Sequence, residues 1–78
     1  MYSEDFEKAA KWACSRLTEI EHAQVMEAWE NRRPIPYAIQ DKLSDLMEEY
    51  GEDNDLCEGW WLAEADIEDV YLTGTDEQ

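Results

Sequence analysis

The sequence predicts a small all-α protein: a bundle of three main helices with a short C-terminal helical segment. Three observations point there. The chain has 78 residues, which is room for one core. Apolar residues recur at helical spacing in three successive stretches, and a cap or a helix breaker bounds each stretch. Residues 1–73 read as one helical domain and residues 74–78 as a frayed acidic tail.

Ser3 suits an N-cap, with Glu4 and Asp5 in the first turn, where negative charge complements the helix dipole. Phe6, Ala9, Ala10, Ala13 and Leu17 follow on one face, which places the first helix at residues 4–16. Thr18 and Glu21 then form a capping-box pattern. Behind them His22, Val25, Met26 and Trp29 share a face, so the second helix covers 19–31. It must end before "RRPIP", because prolines so close together do not fit inside a helix. Arg32 and Arg33 complement the end of its dipole and have the charge to pair with the acidic half of the chain. Pro36 fits the first position of a third helix over 36–50, with Ile39, Leu43, Leu46, Met47 and Tyr50 inward and Gly51 as a left-handed C-cap.

Beyond Gly51, "EDND" reads as a loop. Asp55, with Glu58 completing a second capping box, would start a short helix ending at Trp61 or Leu62, against which Gly59 weighs. Asp66 suits the cap of a helical turn carrying Ile67, Val70 and Tyr71. An extended reading of "DVYLT" leaves a lone strand without a partner, so helix is preferred.

Charge is the chain's most unusual property. The net charge is −15, and it is unevenly placed. Residues 1–42 hold eight acidic and six basic side chains, whereas residues 43–78 hold thirteen acidic and none basic. Apolar content of 44% and nine aromatic residues still suffice for folding, with a stability on the order of 3–5 kcal/mol for a core this small. Direct binding to nucleic acid or to an anionic membrane is disfavoured, since both need Lys and Arg. A basic protein surface is the natural partner. No apolar run approaches membrane-spanning length. The opening MYSEDFEKAAKW has neither the basic nor the apolar region of a secretory signal. A cytoplasmic location is therefore expected, with Cys14 and Cys57 reduced unless the fold brings them together.

Neither catalysis nor a cofactor is expected. The single histidine, His22, lies on an apolar helix face and reads as structural. Carboxylates are so abundant that no pair singles itself out for acid–base work. A calcium loop started at Asp53 fails at its turn, because Glu58 occupies the glycine position and Gly59 comes one place late. Zinc would need more than two cysteines and one histidine. Phosphate-cradling glycine motifs are absent, and the three glycines are scattered.

The four tryptophans are informative. Trp29 is expected in the core and Trp12 half exposed. Trp60 and Trp61 are adjacent and so point different ways; one should be buried against the third helix and the other exposed or half-exposed, available as an interface anchor. The carboxylates nearby are interleaved with Leu56, Leu62, Ile67, Val70 and Tyr71, which argues for an ordered polyanion. A row of carboxylates on a folded surface imitates a row of phosphates. The candidate partner-binding set is therefore Glu48, Glu49, Glu52, Asp53, Asp55, Glu58, Trp60, Trp61, Glu64, Asp66, Glu68 and Asp69.

In size, acidity and interleaved aromatics the chain resembles small acidic inhibitors and DNA mimics of phages and mobile elements, some of which block restriction or CRISPR nucleases. The resemblance is one of composition and size, and no shared motif carries it. It implies a non-enzymatic protein that occupies a basic surface of a nucleic-acid-binding protein. The alternative is a structural or regulatory adaptor that binds through an apolar helix face, which admits a homodimer.

Overall fold

The computed structural model describes residues 3–63 and 65–75. Among them the protein is all-α, with helices α1 (Glu4–Ser15), α2 (Glu19–Glu30), α3 (Tyr37–Asp53) and α4 (Ile67–Thr75).

The Ser3 hydroxyl caps α1, accepting the Phe6 N–H at 3.2 Å. The helix buries Phe6, Ala9, Ala10, Ala13 and Cys14. Small side chains on this face let α4 come very close: a Cβ added at Gly74 would collide with the Ala10 carbonyl and the Cys14 sulfur. Gly74 and Thr75 are thus part of α4, and the part of the expected tail that remains, residues 76–78, lies outside the described residues.

The Thr18 capping box opens α2. The Glu21 N–H donates to Thr18 Oγ1 at 3.1 Å, and the Thr18 N–H donates to Glu21 Oε1 at 2.8 Å. The helix ends in a Schellman motif rather than at a proline. Arg32 adopts a left-handed conformation (φ 57°), the Arg33 N–H reaches the Ala28 carbonyl at 2.7 Å, and the Arg32 N–H reaches that of Trp29 at 3.0 Å. Both arginines are exposed, and neither makes an ion pair with a described carboxylate. Only Val25 and Ala28 of α2 are buried. Met26, expected inward, is 48% exposed, because buried Val25 and Ala28 set the face toward the core and, at 100° per residue, residue 26 lies about 100° from the first and about 160° from the second.

In α3, Pro36 is the N-cap rather than the first helical residue, and the helix continues beyond Gly51 to Asp53. Gly51 is a contact residue: the Trp60 ring covers it, and a Cβ there would lie 2.6 Å from Trp60 Cδ1 and Nε1. Asp55 (φ 60°) takes the left-handed position expected of Gly51. The Leu56 N–H closes a second Schellman motif onto the Gly51 carbonyl at 2.7 Å.

The short helix expected over 55–62 is absent. Residues 58–63 form successive turns, with the Trp60 N–H on the Cys57 carbonyl and the Leu62 N–H on that of Gly59. Asp55 cannot start a helix there because it is already spent ending α3. Asp66 and Asp69 then cap α4 reciprocally, each backbone N–H 3.4 Å from the other's carboxylate.

The core joins Phe6, Val25, Ile35, Ile39, Leu43, Met47, Trp61, Val70 and Tyr71. At its centre α1 packs along α4 and α3, and α3 meets α4. The bundle is therefore built on α1, α3 and α4, not on the first three helices with the fourth as a lid. Helix α2 is fastened mainly by side chains. Trp29 meets the Tyr71 ring edge-on at 5.2 Å, and His22 Nδ1 lies 2.8 Å from the Tyr71 hydroxyl. Lys42 bridges from α3 to Glu21 at 2.8 Å.

Candidate functional site

The candidate residues separate into groups with different surroundings. Glu48 is half-buried and inward-facing. Its carboxylate accepts the Gly59 N–H at 3.0 Å and the Trp61 indole N–H at 2.8 Å, which clamps the 58–63 turns onto α3. Trp61 is 2% exposed and belongs to the core. Trp60 is half-buried: its indole N–H donates to the Met47 carbonyl at 3.1 Å, and its ring lies 6.2 Å from that of Tyr50. Trp61 is thus unavailable as a surface anchor, and Trp60 presents only part of its ring. Adjacent residues had to diverge, and both indoles found acceptors on α3. Trp12 is half-buried too, 6.3 Å from the Tyr50 ring and with the Arg16 guanidinium 5.2 Å from its own ring.

Asp66 and Asp69 are tied up in the α4 cap, which leaves Asp66 exposed and Asp69 half-buried. Glu64 lies outside the described residues. Asp55, Glu58 and Glu68 are exposed.

Glu49, Glu52 and Asp53 are exposed on α3, and α3 extends their row toward its N-terminus. Asp41 and Asp45, absent from the expected set, are exposed about two turns and one turn before Glu49. At 100° per residue, Asp41, Asp45, Glu49 and Glu52 fall on the side of α3 away from buried Ile39, Leu43 and Met47, and exposed Asp53 continues the row at its flank in the last turn. None of the five makes an ion pair with a described residue. They span twelve residue steps, about 18 Å of helix, or roughly 4.5 Å per charge. One strand of DNA carries a phosphate about every 3.4 Å. The i, i+4 spacing from Asp41 to Glu49 was visible in the sequence, but the expected set began at Glu48 and left out Asp45, which also lies past the last basic residue, Lys42.

The titratable groups with a clear shift lie away from this ridge. The Lys42 ammonium, helped by the Thr18 N–H, holds the Glu21 carboxyl below its usual range. Burial pushes the Cys14 thiol up to about 12. Burial, with Cys14 nearby, also raises the Tyr71 hydroxyl. Cys14 is buried and Cys57 exposed, and both are free thiols. Among the described residues no three His, Cys, Asp or Glu side chains are arranged to hold a metal ion, and no helix is long and apolar enough to cross a membrane.

The chain matches no family model, no curated protein and no solved structure.

Proposed function

We propose that this chain is a non-enzymatic acidic binding protein that occupies a basic surface of a nucleic-acid-binding protein in place of nucleic acid, as phage and mobile-element inhibitors of restriction or CRISPR nucleases do. The observation that carries the reading is the α3 ridge. Asp41, Asp45, Glu49, Glu52 and Asp53 are exposed and unpaired among the described residues, at about three-quarters of the linear charge density of one DNA strand. A rigid helix presents these charges without the ordering cost of a disordered acidic tail. The rest of the chain adds to the same field, since the net charge is −15. That field would speed encounter with a cationic groove.

The test is capture of partners from a bacterial lysate at low and high salt, followed by competition with duplex DNA. Nucleic-acid-binding proteins should be enriched at low salt, released by salt and displaced by DNA. Replacing Asp45, Glu49 and Glu52 with their amides should weaken capture. Enrichment that survives high salt and ignores DNA would sink the reading.

The adaptor reading keeps one observation in its favour. Ile20 is 71% and Met26 48% exposed on the outer side of α2. It calls for salt-insensitive binding that Ile20→Ser abolishes.

A further inference from the structure

A cleft of about 260 Å³ lies between the 34–35 connection, the first turn of α3 and the start of α4, lined by Pro34, Ile35, Gln40, Asp66, Ile67 and Glu68. Its two kinds of lining demand different things of an occupant. Pro34, Ile35 and Ile67 supply apolar surface, with Ile35 only 2% exposed. The polar side chains supply acceptors. Gln40 donates one amide N–H to the Ile35 carbonyl at 2.6 Å, so its Oε1 is the acceptor left for a ligand. Asp66 uses Oδ1 for the α4 cap, and its other oxygen has no partner among the described residues. Glu68 is exposed and without a partner among the described residues. No lysine or arginine lines the cleft, and exposed Arg33 lies outside the lining.

We infer that this cleft receives an arginine side chain from the basic partner. The step rests on the function proposed above and names the anchoring group. A guanidinium offers five donors and no acceptor, which suits the free side-chain oxygens of Gln40, Asp66 and Glu68 in this lining. It is planar and weakly hydrated, so it tolerates the apolar wall better than an ammonium does, and its methylene stem covers that wall while the head stays among the carboxylates. The N-terminal dipole of α4 opposes a cation here, but the Asp66–Asp69 cap covers the start of that helix with carboxylates. The cleft includes Gln40, the residue before Asp41, so it adjoins the start of the acidic ridge.

The test uses the full chain, ¹⁵N-labelled, titrated with a blocked tripeptide Gly-Arg-Gly, and with its lysine and citrulline counterparts. The arginine peptide should shift the amides of Ile35, Ile67 and Glu68 and the Gln40 side-chain amide, with citrulline inert and lysine weaker. Glu68→Gln and Asp66→Asn should each weaken binding about three- to fivefold, the size of a half-exposed ion pair. Asparagine remains a good N-cap, so the fold is kept. The double variant Glu49→Gln/Glu52→Gln should leave the cleft shifts in place. Shifts spread evenly over the acidic surface, a lysine peptide bound as tightly, or indifference to Glu68→Gln would each overturn the assignment. A captured DNA-competed partner without cleft shifts removes the cleft alone, whereas cleft shifts without any such partner remove the functional reading alone.

Discussion

Glu48 and Glu49 are neighbours of identical chemistry, and the structure assigns them opposite duties. Glu49 is exposed on the ridge. Glu48 accepts two N–H donors, one of them the indole of a tryptophan that is 2% exposed. Hydrogen bonds to a charged acceptor contribute about 1.5–3 kcal/mol each, and a buried donor left unpaired costs about 1–3 kcal/mol. Glu48→Gln keeps one carbonyl oxygen and the shape, but loses the charge and one acceptor. It should destabilise the protein by about 1–2 kcal/mol, and Glu48→Ala, which strands both donors, by about 2–4 kcal/mol. Against a total on the order of 3–5 kcal/mol, the alanine variant would be close to unfolding. Glu49→Gln should stay within about 0.5 kcal/mol, or gain slightly as repulsion eases. The assay is urea unfolding followed by tryptophan fluorescence and far-UV circular dichroism, with the slope compared between variants. Equal effects of Glu48→Gln and Glu49→Gln would refute the clamp, since charge removal alone would then explain both.

The remaining expectations are smaller. Arg32 holds a left-handed conformation, so Arg32→Gly should be more stable than Arg32→Ala by about 1 kcal/mol in the same urea assay, with the charge change matched. Gly74→Ala should cost about 1–3 kcal/mol despite its better helix propensity, because the obstructing atoms include the backbone carbonyl of Ala10. A thiol reagent at neutral pH should label Cys57 rapidly and Cys14 only after unfolding, because Cys14 is buried and its thiol is raised to about 12. Two fast thiols would contradict that burial. Added salt should raise the melting temperature by screening a net charge of −15. The Glu21 carboxyl is lowered in the folded state, chiefly by Lys42. Its contribution is present above the unfolded glutamate value and is lost as pH falls through the folded one. Lys42→Met should therefore flatten part of the acid limb of the stability curve.

Local signals were the dependable ones. Ser3, Thr18 and Glu21 cap the helices that their spacing announced, because a cap needs only residues within a turn of it. The inward rows of α1 and α3 were legible for the same reason: a 3.6-residue period is local. Reading failed where distant segments compete for one residue. Gly51 looked like a C-cap, yet the Trp60 ring packs on its bare Cα and Asp55 takes the left-handed turn. Gly74 looked like tail, yet α1 needs a residue without a side chain beside Ala10.

The amino-acid order alone determined an all-α chain with a nearly neutral front and a polyanionic back, since charge and period are properties of composition and spacing. Only the tertiary structure decided which carboxylates remain free for a partner. Glu48 is drawn in by Gly59 and Trp61, and Asp66 and Asp69 close a helix end. Asp41, Asp45, Glu49, Glu52 and Asp53 stay in solvent because the opposite face of α3 is filled by the core. A carboxylate's availability depends on the donors that folding brings to it, and no window of sequence around it contains them.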